Sequence, residues 1–326
     1  MTEPFPTGLL GPVRPGARVA LLGTAGPPLE QALTGAVETV RGWGLDPVVF
    51  DSALAQHPRA EYLTGTDRLR ADDFTAAWCD DSIEAIFCVR GGYGTVRMLD
   101  LLDPALLRAA RPTPVFGSSD VTALHEYLVE RVGVPSWFTP MLATRAVQED
   151  EAAREQLRRA VLEGIASVRL PPVTELPGAE VMVPGTARGR LVGGNLALLA
   201  MTLGAHGRPP LDNSGAIVVL EDIGEDTYRL DGFLMSLLRA GWFDGVAGIM
   251  LGSWLDCQPD RVRELCRELL VPLGVPTVWG LPIGHDVGAA SVPLGVAWEL
   301  ELTPEDGRFR PIDPENSPGV ENILTR

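Results

Sequence analysis

Apolar residues in the first half of the chain come in short continuous runs, each ending at a glycine or a polar corner and most followed by a helical pattern. Arg18 to Gly23 (RVALLG) is the first, with a helical stretch behind it through Val40, and Asp46 to Phe50 is the second. Ser82 to Val89 (SIEAIFCV) and Pro114 to Gly117 supply two more. Continuous runs rich in β-branched residues and separated by helices predict parallel strands covered on both faces. Function in such sheets gathers at the carboxyl ends of the strands.

The rhythm changes over residues 146–190, where charged, helix-prone residues (QEDEAAREQLRRAVLEG) give way to the Pro-rich LPPVTELPG. The spacing predicts an N-terminal α/β domain over 1–150, a linker over 151–186 and a C-terminal β/α domain over 187–326. The second half opens on small strands in GTARGRLVGGN and a buried strand at Ala216 to Glu221 (AIVVLE). Leu230, Phe233, Leu234, Leu237 and Leu238 then fall at i, i+3, i+4, i+7 and i+8, an amphipathic helix that Gly241 stops. Leu294, Val296, Trp298, Leu300 and Leu302 alternate with Gly, Ala and Glu, which predicts a half-exposed strand.

Composition narrows the function classes. A chain of 326 residues exceeds the usual single core, in keeping with two domains. No run approaches the roughly 18 apolar residues of a membrane helix. The first residues, MTEPFPTGLLGPVRPG, lack the basic-then-apolar order of a secretory signal, so a cytoplasmic protein is expected. Cys79, Cys88, Cys257 and Cys266 have no metal-ligand spacing and suit a reducing compartment; neither a metal nor a cofactor is expected. A net charge of −16 argues against a nucleic-acid partner.

The stretch VFGSSDVTALHEYLVERVG (115–133) carries the first chemistry. Val121, Leu124, Leu128 and Val132 mark the buried face of a helix ended by Gly133, so Ser118, Ser119 and Asp120 occupy a strand-to-helix corner. A serine there has an exposed hydroxyl, and the next N–H points at any oxyanion forming above it. The same serine could serve only as an N-cap, with Asp120 in the first turn. A nucleophile needs a base. Of the four histidines, His125 should point away from the corner, and His57 and His206 sit in polar loops, whereas His285 ends the apolar run PTVWGLPIG. Glu221, closing AIVVLE, could orient it. In RGGYG (Arg90 to Gly94), paired glycines let backbone approach a ligand and aim N–H groups at an anion. GTAGPP at 23–28 and RGGYG could equally be the anion loops of a non-enzymatic module binding a small metabolite.

Taken together, YLTGTDRLRADDF before RGGYGTVRMLDLLD, the corner GSSDVTALH, GRLVGGNLALL, LEDIGEDTYRLDGFLMSLLRAG and GLPIGHD followed by PLG resemble the L,D-carboxypeptidases of serine peptidase family S66 over nearly the whole chain. That family includes murein tetrapeptide carboxypeptidases and microcin C immunity peptidases. The resemblance implies a doubly wound N-terminal sheet of the class I glutamine amidotransferase or flavodoxin-like type, with a smaller C-terminal swivelling β/β/α-like domain. It also implies a triad of Ser119 as nucleophile, His285 as general base and Glu221 as orienter, with backbone N–H of Gly91, Gly92 and Asp120 as the oxyanion hole. Arg90, by charge and position, is the candidate for the substrate's terminal carboxylate. The family's aromatic residue before the nucleophile is here Ser118, and its Gly-Pro after the elbow helix is Thr139–Pro140. The implied reaction is release of D-alanine from murein tetrapeptide by a cytoplasmic homodimer. The alternative is hydrolysis of a peptidyl or aminoacyl nucleotide amide, in a branch expected to carry a longer insertion between domains.

Overall fold

The computed structural model describes residues 7–205 and 212–312; His206 lies outside them. The strands in chain order are β1 (Arg18–Leu22), β2 (Asp46–Val49), β3 (Ile83–Cys88), β4 (Val115–Gly117), β5 (Ser136–Phe138), β6 (Glu180–Val183), β7 (Gly185–Asn195), β8 (Ile217–Ile223), β9 (Gly248–Leu255), β10 (Thr277–Trp279), β11 (Val292–Leu294), β12 (Ala297–Leu302) and β13 (Gly307–Pro311).

Two sheets result. The first runs β11-β5-β4-β3-β1-β2, with β1 to β5 parallel and β11 antiparallel on the edge of β5. Its parallel part is the doubly wound order 2-1-3-4-5, whose crevice opens where the winding reverses between β1 and β3. The second runs β13-β12-β7-β8-β9-β10-β6, with a parallel centre from β7 to β10 and antiparallel flanks.

One apolar cluster spans both sheets, taking Leu21, Phe116 and Trp137 from the first and Leu191, Ile217 and Trp298 from the second. Phe87, Phe116 and Trp137 stack across it with ring centroids 4.9 and 5.8 Å apart. The outer face of each sheet has its own cluster under helices, which is why β1, β3 and β8 carry apolar residues on both faces. Leu230, Leu234 and Leu237 are buried on the helix Thr227–Arg239, and Gly241 follows with φ +74°.

Residues 151–186 hold a regular helix, Glu151–Glu163, in keeping with their helix-prone composition, and β6, which pairs into the second sheet. Two other stretches differ from the pattern-based expectation. GTARGRLVGGN is one long strand. The alternating stretch from Leu294 to Leu302 is two strands in two sheets: Gly295, at φ +83°, turns the chain from β11 into β12. β12 is nearly all buried, and its Glu299 is held between Arg188 and Arg310, so a charge there does not mark an open face.

Candidate active site

The corner after β4 is sharp. Ser118 is extended at φ −152°, while Ser119 has φ +59°, a left-handed conformation costly for any residue with a side chain. Val121 N–H donates to the Ser118 carbonyl at 3.0 Å, closing the turn. Gly117 permits it: a Cβ there would lie 3.0 and 3.1 Å from the Val121 methyls. The helix Thr122–Tyr127 then passes into a π-helical turn, Leu128–Val132, ended by Gly133 at φ +81°. Ser118 is buried and Ser119 is partly exposed, so of the two hydroxyls the second lies at the surface of the corner.

The RGGYG loop after β3 lies against this corner. A Cβ on Gly91 would be 3.0 Å from Ser119 Cβ and 3.2 Å from its Oγ, a separation only glycine leaves open. Gly26 N–H, from the loop after β1, donates to the Gly91 carbonyl at 3.0 Å, and Gly92 takes φ +111°. Asp120 fastens the loop's far end, its Oδ2 accepting from Thr95 N–H at 2.7 Å. Burial pushes the Asp120 carboxyl above its ordinary range, against the hydrogen bonds from Thr95 and Gly94 and the nearby Arg70. Arg70, fully buried, donates to the carbonyls of Thr64 (2.9 Å), Gly65 (3.1 Å) and Gly94 (3.2 Å) and to Asp67 (2.6 Å).

From the second sheet's side come a carboxylate and an imidazole. Glu221 sits near the carboxyl end of β8, fully buried, and its Oε2 lies 2.7 Å from His285 Nδ1. The histidine ring keeps a narrow outlet, with 18% of its side chain exposed. Burial alone would lower the His285 pKa, but the carboxylates of Glu221, hydrogen-bonded to the ring, and of Asp222 and Asp286 together outweigh it, so the imidazole titrates above its ordinary value. Ser253 Oγ accepts from His285 N–H at 2.8 Å. Gly284 makes the approach feasible: at φ +133°, a Cβ would come within 2.7 Å of Glu221 Oε2. Asn195, at the end of β7, donates through Nδ2 to Glu221 Oε1 at 3.3 Å and to Asp222 Oδ1 at 2.9 Å. Asp222 also accepts from the N–H groups of Ala197 and Ile223. Its pKa is nonetheless raised to about 6, through burial and then the charge of Glu221.

The two halves meet beside the corner. Asn195 N–H donates to Thr122 Oγ1 at 3.0 Å, so the end of β7 that steadies Glu221 is anchored on the helix that begins behind Ser119. Glu221 and His285 are thus paired, and Gly91 is set against Ser119. Among the described residues no hydrogen bond joins Ser119 to His285. Asn195, Asp222 and Ser253 were not singled out from the sequence, although GGN and LED place polar residues at strand ends where the other candidates were found. His125 is buried between Ser136 Oγ (2.8 Å) and the Gly117 carbonyl (2.9 Å), and burial lowers its pKa to about 4, which makes it a structural neutral imidazole. His57 accepts N–H bonds from Arg59 and Ala60 in a turn. Arg90 donates to the Pro27 carbonyl and lines a cleft of about 530 Å³ with Glu61, Tyr62, Tyr93 and the edge of the glycine loop.

The chain is similar to several known proteins. A murein tetrapeptide carboxypeptidase of Pseudomonas aeruginosa is 34% identical over 299 residues, covering 87% of this chain and 93% of its own. SCO6489 of Streptomyces coelicolor is 47% identical over 297 residues, covering 90% and 94%. The crystal structure of muramoyltetrapeptide carboxypeptidase from Oxalobacter formigenes superposes with a TM-score of 0.75 at 23% identity, over 90% of this chain and 98% of that one. The microcin C7 self immunity protein MccF in its wild-type apo state gives 0.80 at 21%, over 93% and 98%. Residues 19–139 match the LD-carboxypeptidase N-terminal domain and residues 188–300 the C-terminal domain, and the chain therefore belongs to the LD-carboxypeptidase family, peptidase S66.

Proposed function

We propose that this enzyme hydrolyses an L,D amide bond, releasing terminal D-alanine from murein tetrapeptide through a Ser119–His285–Glu221 triad. The observation that carries the reading is the buried Glu221–His285 pair, 2.7 Å long, beside a serine held at φ +59° with a glycine backbone against it. His285 Nε2 takes the Ser119 proton as Oγ attacks the scissile carbonyl carbon, and Glu221 holds Nδ1 protonated and stabilises the imidazolium. The oxyanion turns toward the N–H groups of Gly91, Gly92 and Asp120. Collapse breaks the C–N bond as His285 returns its proton to the leaving D-alanine nitrogen. Water, deprotonated by the same imidazole, then cleaves the acyl-enzyme. Bound substrate closes Ser119 onto His285, since hydrogen bonds between catalytic groups often tighten only in the complex. Arg90 provides a substrate-facing cation. The setting that goes with this activity is cytoplasmic, with the enzyme as a homodimer, which sedimentation equilibrium would check.

Purified enzyme in EDTA is given a tetrapeptide ending in D-alanine after the L-centre of a diamino acid, its L-alanine epimer and a D-Ala–D-Ala pentapeptide, and free alanine is resolved by chiral chromatography. D-alanine from the first alone is expected. Inverting either flanking centre displaces the carbonyl, and a shift of about 1 Å costs on the order of a hundredfold. Preferred cleavage of the D,D-peptide, loss of activity in EDTA, or turnover only of an aminoacyl-nucleotide amide would each overturn the assignment.

A further inference from the structure

The cleft lined by Glu61 and Arg90 carries two opposite charges that are not spent on each other. Among the described residues neither makes an ion pair: Arg90 is engaged by the Pro27 carbonyl alone, and Glu61 stands exposed at the rim. Tyr62 and Tyr93 flank the cleft, half exposed, with ring centroids 6.1 Å apart and planes tilted by 54°. Gly92 forms its inner edge, one residue from the Gly91 that lies against Ser119, so the cleft begins about one Cα–Cα step, ~3.8 Å, from the loop that faces the nucleophile.

We propose that this cleft receives the side chain of the acyl-side residue and selects a zwitterionic end, an ammonium and a carboxylate on one carbon, with Glu61 taking the ammonium and Arg90 the carboxylate. The inference rests on the L,D-carboxypeptidase reading above. The side chain of the residue whose carbonyl is attacked leaves the reacting centre by one carbon and needs room beside the oxyanion loop. The tyrosine faces give its methylenes an apolar wall. Departing D-alanine fits the cleft less well, because it would leave most of about 530 Å³ unfilled and, while still acylated, presents no cation to Glu61. This occupant moves Arg90 from the terminal carboxylate expected of it to the carboxylate of a side chain.

The test compares kcat/KM for three tetrapeptides differing only at the third residue: lysine, meso-diaminopimelate, and meso-diaminopimelate amidated on its side-chain carboxyl. A charge-assisted bond at a partly open site is worth about tenfold. The zwitterionic peptide is therefore expected to exceed both others by about tenfold, less at high salt. In Arg90→Gln the ratio of zwitterionic to amidated peptide should fall close to one. In Glu61→Gln the lysine and zwitterionic peptides should both lose about tenfold, while the Arg90-dependent ratio survives. Because the ratio of zwitterionic to amidated peptide is taken within one enzyme preparation, partial misfolding of a variant cancels from it, and the Glu61→Gln loss is scaled to active sites titrated with a serine-reactive phosphonate. Equal wild-type rates on the zwitterionic and amidated peptides, or a preference unchanged in Arg90→Gln, would overturn the subsite while leaving the peptidase assignment standing. Inactivity on all three would overturn both.

Discussion

Ser118 and Ser119 are chemically alike and structurally unlike: Ser118 is extended and buried, whereas Ser119 is left-handed at φ +59° and partly exposed. Ser119→Ala should abolish nearly all D-alanine release, whereas Ser118→Ala should keep a substantial fraction; steady-state assay of both separates them, and a dead Ser118 variant would put the nucleophile one residue earlier. His285 gives a second test. In the proposed mechanism it must be neutral to accept the serine proton, so kcat/KM should rise with pH through an apparent pKa above the ordinary histidine value of about 6.5. In Glu221→Gln the partner that raises it is gone while burial remains. The limb should move to lower pH and the plateau fall by several orders of magnitude. The linked stability runs the other way. A histidine whose folded pKa lies above its unfolded one contributes fully below about 6.5, and that contribution is lost as pH rises through the folded value. Activity and this increment of stability therefore cross between the two pKa values. From sequence, the serine, the acid and the histidine could be placed at strand ends, but their roles rested on family resemblance, because a corner serine and an N-cap serine read alike. Asn195 and Asp222 went unread because their importance lies in touching Glu221 across strands, which no local pattern encodes.

The loops are held to one another by buried polar groups. Asp120 and Arg70 both grip the end of RGGYG, the first through Thr95 N–H and the second through the Gly94 carbonyl. In the proposed mechanism these are positioning residues for the oxyanion loop. Asp120→Ala should lower kcat on the order of a hundredfold, the usual cost of one misplaced oxyanion donor, with little change in KM. Asp120→Asn, which keeps an acceptor for Thr95, should recover part of it. Loss of KM with kcat retained would mean that the loop binds substrate without shaping the transition state. Continuous apolar runs predicted β1 to β4 and β8, and alternation predicted β12. β5 was not predicted, since SWF is three residues long and follows a proline, and its burial comes from β4 on one side and β11 on the other. The join of β11 and β12 read as one strand because alternation does not reveal a change of sheet.

The two halves are tied at places remote in sequence. Asp150 does two jobs: Oδ1 caps the helix Glu151–Glu163 through Ala152 and Ala153, while Oδ2 accepts from Gly288 N–H at 2.6 Å, three residues beyond His285. Asp150→Ala should lose both, lowering stability by about 1 kcal/mol for the cap and also slowing turnover. Asp150→Ser should keep the cap yet lose the loop bond. A Ser variant with near-normal unfolding but reduced kcat is expected; full activity would show that Gly288 needs no tether. The expected boundary near residue 150 follows composition. The return of residues 292–294 to the first sheet does not, because it depends on pairing with a strand far earlier in the chain.

That returning strand has a consequence for how the protein is made. On the ribosome, β1 to β5 emerge long before β11, so the first sheet must wait with the edge of β5, and its Trp137, unpaired until β11 has been synthesised. An open apolar edge is a template for intermolecular pairing. Chains ended prematurely anywhere between β5 and β11 should collect in the insoluble fraction even though every strand of the doubly wound core is present, and soluble product should be recovered only from messengers that still encode β11.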